Sequence, residues 1–255
     1  MGTFLLGTRF YKGQTQNRQG LGNDGYDANY EFLNPYDLEG SDYLFPSYNF
    51  SVFLENYLSV NDKWSITPGV RFENIYAGSQ GYYKLRQKDL AGNIIFEQNF
   101  SDTTERKRNL LLAGVGTSYK LKGIEIYANI SQNYRAINFT DLRVTNPNLE
   151  IDTNILDERG FNADFGIRGI LNNLINYDVT VFYLFYKDRI GAILQLDSAT
   201  YRLYQYRTNV ADSRNIGVEC LLELDLLKLF NYDDENTRWT WFNNLSLIDA
   251  RYLDS

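Results

Sequence analysis

YNFSVFLENYLSVNDKWSITPGVRFENIY, residues 48–76, decides the fold. From Trp64 onward one side of an alternation carries Trp64, Ile66, Pro68, Val70, Phe72, Asn74 and Tyr76, and the other carries Ser65, Thr67, Gly69, Arg71 and Glu73. Period-two alternation marks a strand whose two faces meet different surroundings. The turn residues Asn61-Asp62-Lys63 set Val60 opposite Trp64, and that register fixes every other pair. One face then matches Leu58 with Ile66, Leu54 with Val70, Val52 with Phe72 and Tyr48 with Tyr76. The reverse face matches Ser59 with Ser65, Glu55 with Gly69, Phe53 with Arg71 and Ser51 with Glu73. An apolar band with aromatics at both ends and a charged reverse face suits lipid on one side and water on the other. Pro68 lacks an N–H to donate, which predicts a bulge or local irregularity there.

The same logic extends along the chain. Leu110–Arg135 reads as a second hairpin, with Tyr119 opposite Ile124 across Lys120–Gly123 and Tyr127 lying over Gly116. Phe161, Ala163, Phe165 and Ile167 form the outward side of a third, followed by Tyr177, Val179, Val181, Tyr183 and Phe185. In Ile216–Leu226, Val218, Cys220, Leu222 and Leu224 oppose Gly217, Glu219, Glu223 and Asp225. Carboxylates on that reverse face favour a water-filled interior over a dry core. Trp239 and Trp241 open the last strand at the end marked by Trp64. Nine alternating stretches result, joined by connections that are long and short in turn. Lys12–Pro46, Ala77–Arg108, Ala136–Asp157 and Arg189–Asp212 are long; Asn61–Lys63, Lys120–Gly123, Ile170–Leu174 and Leu227–Thr237 are short. A transmembrane barrel places large loops outside and tight turns on the periplasmic side, which produces this rhythm.

Composition agrees. Hydrophobic residues are 44% of the 255, mean hydropathy is −0.41, and no run approaches the ~18 apolar residues of a helical span. Tyr (21) and Phe (16) suit aromatic girdles. A net charge of −7 argues against a nucleic-acid partner, which requires a basic face. The lone Cys220 excludes an internal disulfide framework. With no histidine, Ser-His-Asp or Cys-His catalysis and histidine metal ligation are excluded from this chain, and we read it as a non-enzyme without a cofactor. Asn23-Asp24-Gly25-Tyr26-Asp27 lacks the ligand spacing of a calcium loop and reads as a turn.

Several runs resemble the TonB-dependent outer-membrane receptor family, in particular iron-chelate receptors of the ferric-citrate kind. They are Ile66-Thr67-Pro68-Gly69-Val70-Arg71-Phe72-Glu73, Gly114-Val115-Gly116-Thr117-Ser118-Tyr119-Lys120, and Tyr127-Ala128-Asn129-Ile130-Ser131-Gln132-Asn133-Tyr134-Arg135-Ala136. Asn146-Pro147-Asn148-Leu149, Glu158-Arg159-Gly160, Asn209-Val210-Ala211 and Asn215-Ile216-Gly217-Val218-Glu219 continue the family's order. The resemblance implies a larger barrel filled by an N-terminal plug, energised by the TonB complex, in the outer membrane of a Gram-negative bacterium. Residues 1–255 are then expected to be one part of a single transmembrane barrel domain. About nine strands are present, the plug and terminal strands are absent, and Met1–Leu6 carries no secretory signal.

The implied partners are outer-membrane lipid, an anionic iron chelate, and the TonB complex through the plug region. The candidate chelate contacts are the run Arg106-Lys107-Arg108, Arg135 and Arg143, because guanidinium groups suit bidentate capture of carboxylates. The bland alternative for these cations is that they solvate loop stems and meet lipopolysaccharide phosphates. Two other functions stay open on the residues alone: a passive outer-membrane channel or structural barrel, and a secreted glycan-binding β-protein.

Overall fold

The computed structural model describes every residue except 1, 24, 26–30, 139–140, 142–148, 199–200, 202, 231, 233–236, 238 and 254–255. The Asn23–Asp27 turn and Arg143 therefore lie wholly or partly outside the described residues. The chain forms β1 (Gly2–Gln19), β2 (Ser41–Ser59), β3 (Trp64–Lys88), β4 (Ile94–Leu121) and β5 (Ile124–Arg135). Then come β6 (Leu149–Ile151), β7 (Glu158–Leu171), β8 (Ile175–Leu196), β9 (Leu203–Asp225) and β10 (Thr240–Leu253). All belong to one open sheet in the order β1-β2-β3-β4-β5-β7-β8-β9-β10. This is the expected antiparallel meander. It gains one short strand, because β6 pairs parallel to β9 within the third long connection.

The register of residues 48–76 is the expected one at every pair named above. The β2–β3 ladder skips the positions around Pro68 and resumes unshifted, so the proline interrupts pairing without a bulge. The second hairpin differs. Tyr119 faces Ile126 and Leu121 faces Ile124, a shift of two positions from the sequence reading. The turn is tighter than Lys120–Gly123 because Gly123 takes a positive φ of 76°, a conformation that costs glycine little. A shift of two preserves side-chain parity, so both faces stay as assigned. Tyr127 consequently lies over Gly166, where an added Cβ would come within 2.3 Å of the ring, and not over Gly116.

Much of three of the four long connections is strand, although the first keeps residues 20–40 between β1 and β2. β3 and β4 run on as a ribbon to a turn at 89–93, and β1–β2 and β8–β9 extend likewise beyond the apolar band. Outside lipid both faces of a ribbon are wet, so the alternation that reveals a strand disappears from the sequence.

The two faces of the sheet are unequal. On β3, Val70 and Phe72 are 47% and 41% exposed, whereas Ser65 and Glu73 are each 8% exposed. Among the described residues no second layer covers the membrane-length sheet, so this difference reflects curl: the shielded side chains converge on its hollow side. Arg71 and Glu73 pair there at 2.5 Å, and Arg168 pairs with Glu125 at 3.1 Å. Leu54, Val70, Phe72, Leu111 and Val115 point the other way and are exposed. So large an apolar face requires lipid or a partner. Buried apolar residues gather instead at the end of the long connections, as Leu38, Tyr43 and Phe45 and as Ile137 with Ile155.

In a membrane-assembled barrel carrying this sheet, Val70→Arg should lower the yield of heat-resistant protein, since an arginine facing mid-bilayer lipid costs about 2–4 kcal/mol. Thr67→Arg, facing the hollow side, should assemble normally. Equal yields by semi-native electrophoresis would refute the facing.

Candidate functional site

The region that gathers charge lies at the end of the long connections, where β4 and β5 part. Their ladder stops at Gly114 opposite Ser131. Just above, the Ala113 N–H donates to Gln132 Oε1 at 2.9 Å, a side-chain amide standing in for the missing strand carbonyl. Higher still, the Asp157 carboxylate fills the seam. It accepts from Arg108 Nε of β4, from the Tyr134 hydroxyl of β5 at 2.5 Å, and from the Ile137 N–H at 2.9 Å.

Beside it lies a second centre. Glu158, at the start of β7, is 1% exposed and takes Arg135 Nη1 and Arg189 Nη1, each at 3.0 Å, with the Ile190 N–H at 2.9 Å. Arg135 also reaches both oxygens of Asp141 at 3.0 Å. A buried carboxylate is tolerable only with such partners, and two guanidinium groups supply them. The third connection is further held to β9. Asp152 accepts from Thr208 Oγ1 at 2.7 Å and from the Asn154 N–H at 2.8 Å, and the Thr208 bond chiefly lowers its pKa. Asn209 joins the third connection to the fourth, accepting from the Leu156 N–H and donating to the Leu156 and Asp188 carbonyls.

The run Arg106-Lys107-Arg108 is not one basic cluster. It lies within β4, opposite Ala77, Tyr76 and Ile75, so strand alternation splits it. Arg106 and Arg108 share the hollow face. Arg106 Nη2 donates to the Thr153 carbonyl at 2.7 Å, and Arg106 Nε and Arg108 Nη1 are buried without partners. Lys107 points to the apolar side, its Nζ 5.9 Å from the Tyr76 ring centre. The structure thus brings Arg106, Arg108 and Arg135 to one mouth and leaves Lys107 outside it. Sequence reasoning missed Asp157, Asp141 and Arg189. Glu158 was visible only as part of the Glu158-Arg159-Gly160 run.

The model of the TonB dependent receptor-like β-barrel matches residues 2–254. The chain belongs to that family. TonB-dependent receptor barrels are outer-membrane proteins of Gram-negative bacteria, and the family is one of transporters and receptors. Among solved structures, the unliganded ferric citrate transporter FecA superposes with a TM-score of 0.67 at 16% identity, over 98% of this chain and 33% of that one. The copper transporter OprC gives 0.61 at 16% identity, over 98% and 35%. The ferric yersiniabactin uptake receptor FyuA from Yersinia pestis gives 0.59 at 18% identity, over 84% and 28%. Identities this low establish the fold alone. The chain spans about a third of the length of these receptors. No curated relative matches it.

Within the TonB-dependent receptor barrel, Glu158→Ala should strand Arg189 without a carboxylate and remove the acceptor of the Ile190 N–H. A fully buried ion pair loses about 3–5 kcal/mol when one partner goes; with both guanidinium groups partly hydrated, about 1–3 kcal/mol of local stability should be lost. Hydrogen exchange at Ile190 should then rise roughly tenfold to a hundredfold. Unchanged exchange there would show that Glu158 does not hold the mouth together.

Proposed function

We propose that the chain forms part of an outer-membrane receptor for energised uptake of an anionic iron chelate, of the siderophore or ferric-citrate type. The observation that supports this is the placement of Arg106, Arg108 and Arg135 on the hollow face at the mouth. Arg108 and Arg135 already hold carboxylates of the chain itself. A chelate bearing carboxylates can take the place of Asp157 on Arg108 and make the same bonds, while the displaced Asp157 keeps the Tyr134 hydroxyl and the Ile137 N–H. Arg106 has no carboxylate partner among the described residues and keeps an unbonded Nε. It is the first contact, and Arg143, outside the described residues, belongs with it by sequence. Energy would come from the TonB complex through a plug region of the whole receptor, with the barrel wall in outer-membrane lipid.

The split of the basic run provides the test. In the complete receptor, Arg106→Gln with Arg108→Gln should weaken equilibrium binding of radiolabelled ferric chelate about tenfold, at no more than ~1 kcal/mol per partly hydrated contact. The loss should shrink as salt rises. Lys107→Gln should bind as wild type does. If the double variant keeps full affinity at low salt, or Lys107→Gln loses as much, the mouth is not the anion site.

A further inference from the structure

Beyond the mouth, β4 has a neighbour on one side only. Its ladder with β5 ends at Gly114 opposite Ser131, whereas its ladder with β3 continues to Ile94. The far edge of β4 is therefore without a paired strand there among the described residues. Two hydrogen bonds show which backbone groups that edge presents. The Ala113 N–H donates to Gln132 Oε1 on the β5 side at 2.9 Å, and the Lys120 N–H donates to the Lys63 carbonyl on the β3 side at 2.7 Å. In an antiparallel ladder a residue's N–H and C=O point to one side, and its chain neighbours' groups point to the other. The β3–β4 register is unbroken from Trp64 to Gln87, so the alternation runs on. Glu97, Asn99, Ser101, Thr103 and Glu105 thus aim both backbone groups at the open edge.

This stretch lies outside the lipid band. Lys107 faces Tyr76 at the band's aromatic border, and Glu105 to Glu97 lie beyond it. At ~3.4 Å per residue the stretch is about 27 Å long. The third connection closes the edge at its lower end, where Arg106 Nη2 donates to the Thr153 carbonyl at 2.7 Å. In the fourth connection, by contrast, β6 caps the edge of β9 over Gln205–Arg207. Proteins blunt long edges with lysine, proline, bulges or a covering segment. Ile94–Glu105 has no proline and no cation, and its register shift lies at the tip, opposite Gln87 and Lys88. It carries Glu97, Asp102 and Glu105 instead. Its side chains are exposed apart from the half-buried Phe100 and Thr104, and Phe100 stacks on Tyr83 with centroids 4.8 Å apart. Strand alternation puts Phe96 and Phe100 on one face of the edge and Glu97 and Glu105 on the other.

We propose that the Glu97–Glu105 edge of β4 is a docking strand for an extended, cationic segment of a secreted polypeptide. The segment pairs antiparallel to β4 and extends the sheet above the mouth. Backbone bonds supply its affinity, and alternate side chains supply its selectivity. On one face the added strand sets lysine or arginine beside Glu97 and Glu105. On the other it sets apolar side chains beside Phe96 and Phe100. β4 continues from this edge into Arg106 and Arg108, so the docked segment lies next to the anion contacts. Docking needs the long-connection end outside the cell, and it is independent of which ligand the mouth takes.

The probe is a short peptide of alternating lysine and valine, added to the complete receptor in mild detergent. Binding is read by fluorescence anisotropy and by hydrogen exchange at single amides. In the free receptor the amides of Asn99, Ser101 and Thr103 should exchange fast, and those of Gln98, Phe100 and Asp102, bonded to β3, slowly. The peptide should slow the first set at least tenfold and leave the second unchanged. Its lysines lie opposite the odd-numbered residues and direct their N–H groups at β4, so N-methylating the lysines should weaken binding at least tenfold. N-methylating the valines, which face away, should not. Ser101→Pro deletes an edge N–H and no β3–β4 bond, and should also weaken binding at least tenfold, with Ser101→Ala unchanged. Should Ser101→Pro give no heat-resistant protein, the methylated peptides decide, because they leave the receptor unaltered. Glu105→Gln should cost about two- to fivefold at low salt. Equal binding of the two methylated peptides, which means attraction by charge alone, would overturn the proposal. Slow exchange at Asn99, Ser101 and Thr103 in the free receptor would overturn it too, because the receptor's own chain would then cover the edge. Chelate binding is measured on the same samples, and its absence from wild type would overturn the uptake reading and not the docking strand.

Discussion

Everything in this molecule depends on one constraint: no backbone N–H or C=O may face lipid unpaired. The meander meets it by pairing each membrane-length strand with its neighbour along nearly its whole length, from β1 to β10. Among the described residues, and apart from the outer edges of β1 and β10, the main gap is the upper part of the β4–β5 pair. Side chains take over there, Gln132 for one ladder acceptor and Asp157 for the approach of Arg108, Tyr134 and Ile137. The seam has two consequences. Inward, it admits the third connection and brings Asp157 and Glu158 against the mouth arginines. Upward, it leaves the edge of β4 open from Glu97 to Glu105.

Charge is sorted by face. On the hollow side cations and carboxylates occur together and pair, as in Arg71 with Glu73, Arg168 with Glu125, and Arg135 and Arg189 with Glu158. On the lipid side near the long connections, cations outnumber carboxylates. The chain's net charge of −7 therefore says little about either surface. Ion pairs on a wet surface contribute modestly to stability, but they fix side-chain positions.

Legibility in the sequence follows the lipid. Where one face must be apolar, alternation is strict, and residues 48–76 yield their register to the single pair. In the second hairpin the alternation fixes parity but not register, since Lys120–Gly123 and Lys122–Gly123 turns keep the same faces. The slip of two passed unseen for that reason, and only the positive φ of Gly123 separates the alternatives. Beyond the band the signal stops. Arg106-Lys107-Arg108 looks like a basic cluster in a loop because nothing around it alternates, although β4 continues through it. Asp157, Asp141 and Arg189 were invisible for a different reason: their role comes from the parting of two strands, a tertiary event without a local pattern.

The location of the buried apolar residues explains how so exposed a mouth keeps its shape. The membrane-length sheet has little core of its own, since one face meets lipid and the other water. Leu38, Tyr43 and Phe45 are buried where the first connection returns to β2, and Ile137 and Ile155 pack with Ile190 beneath the third. Each cluster anchors a polar clamp. Glu39, beside Leu38, accepts from the Leu21 N–H and from Asn34, bonds that lower its pKa to about 2. Glu158 accepts from Ile190 itself. Small cores at the rim thus hold the carboxylates in place, and the carboxylates hold the arginines. The cost of ordering the mouth is met on folding, so a ligand need not supply it on binding.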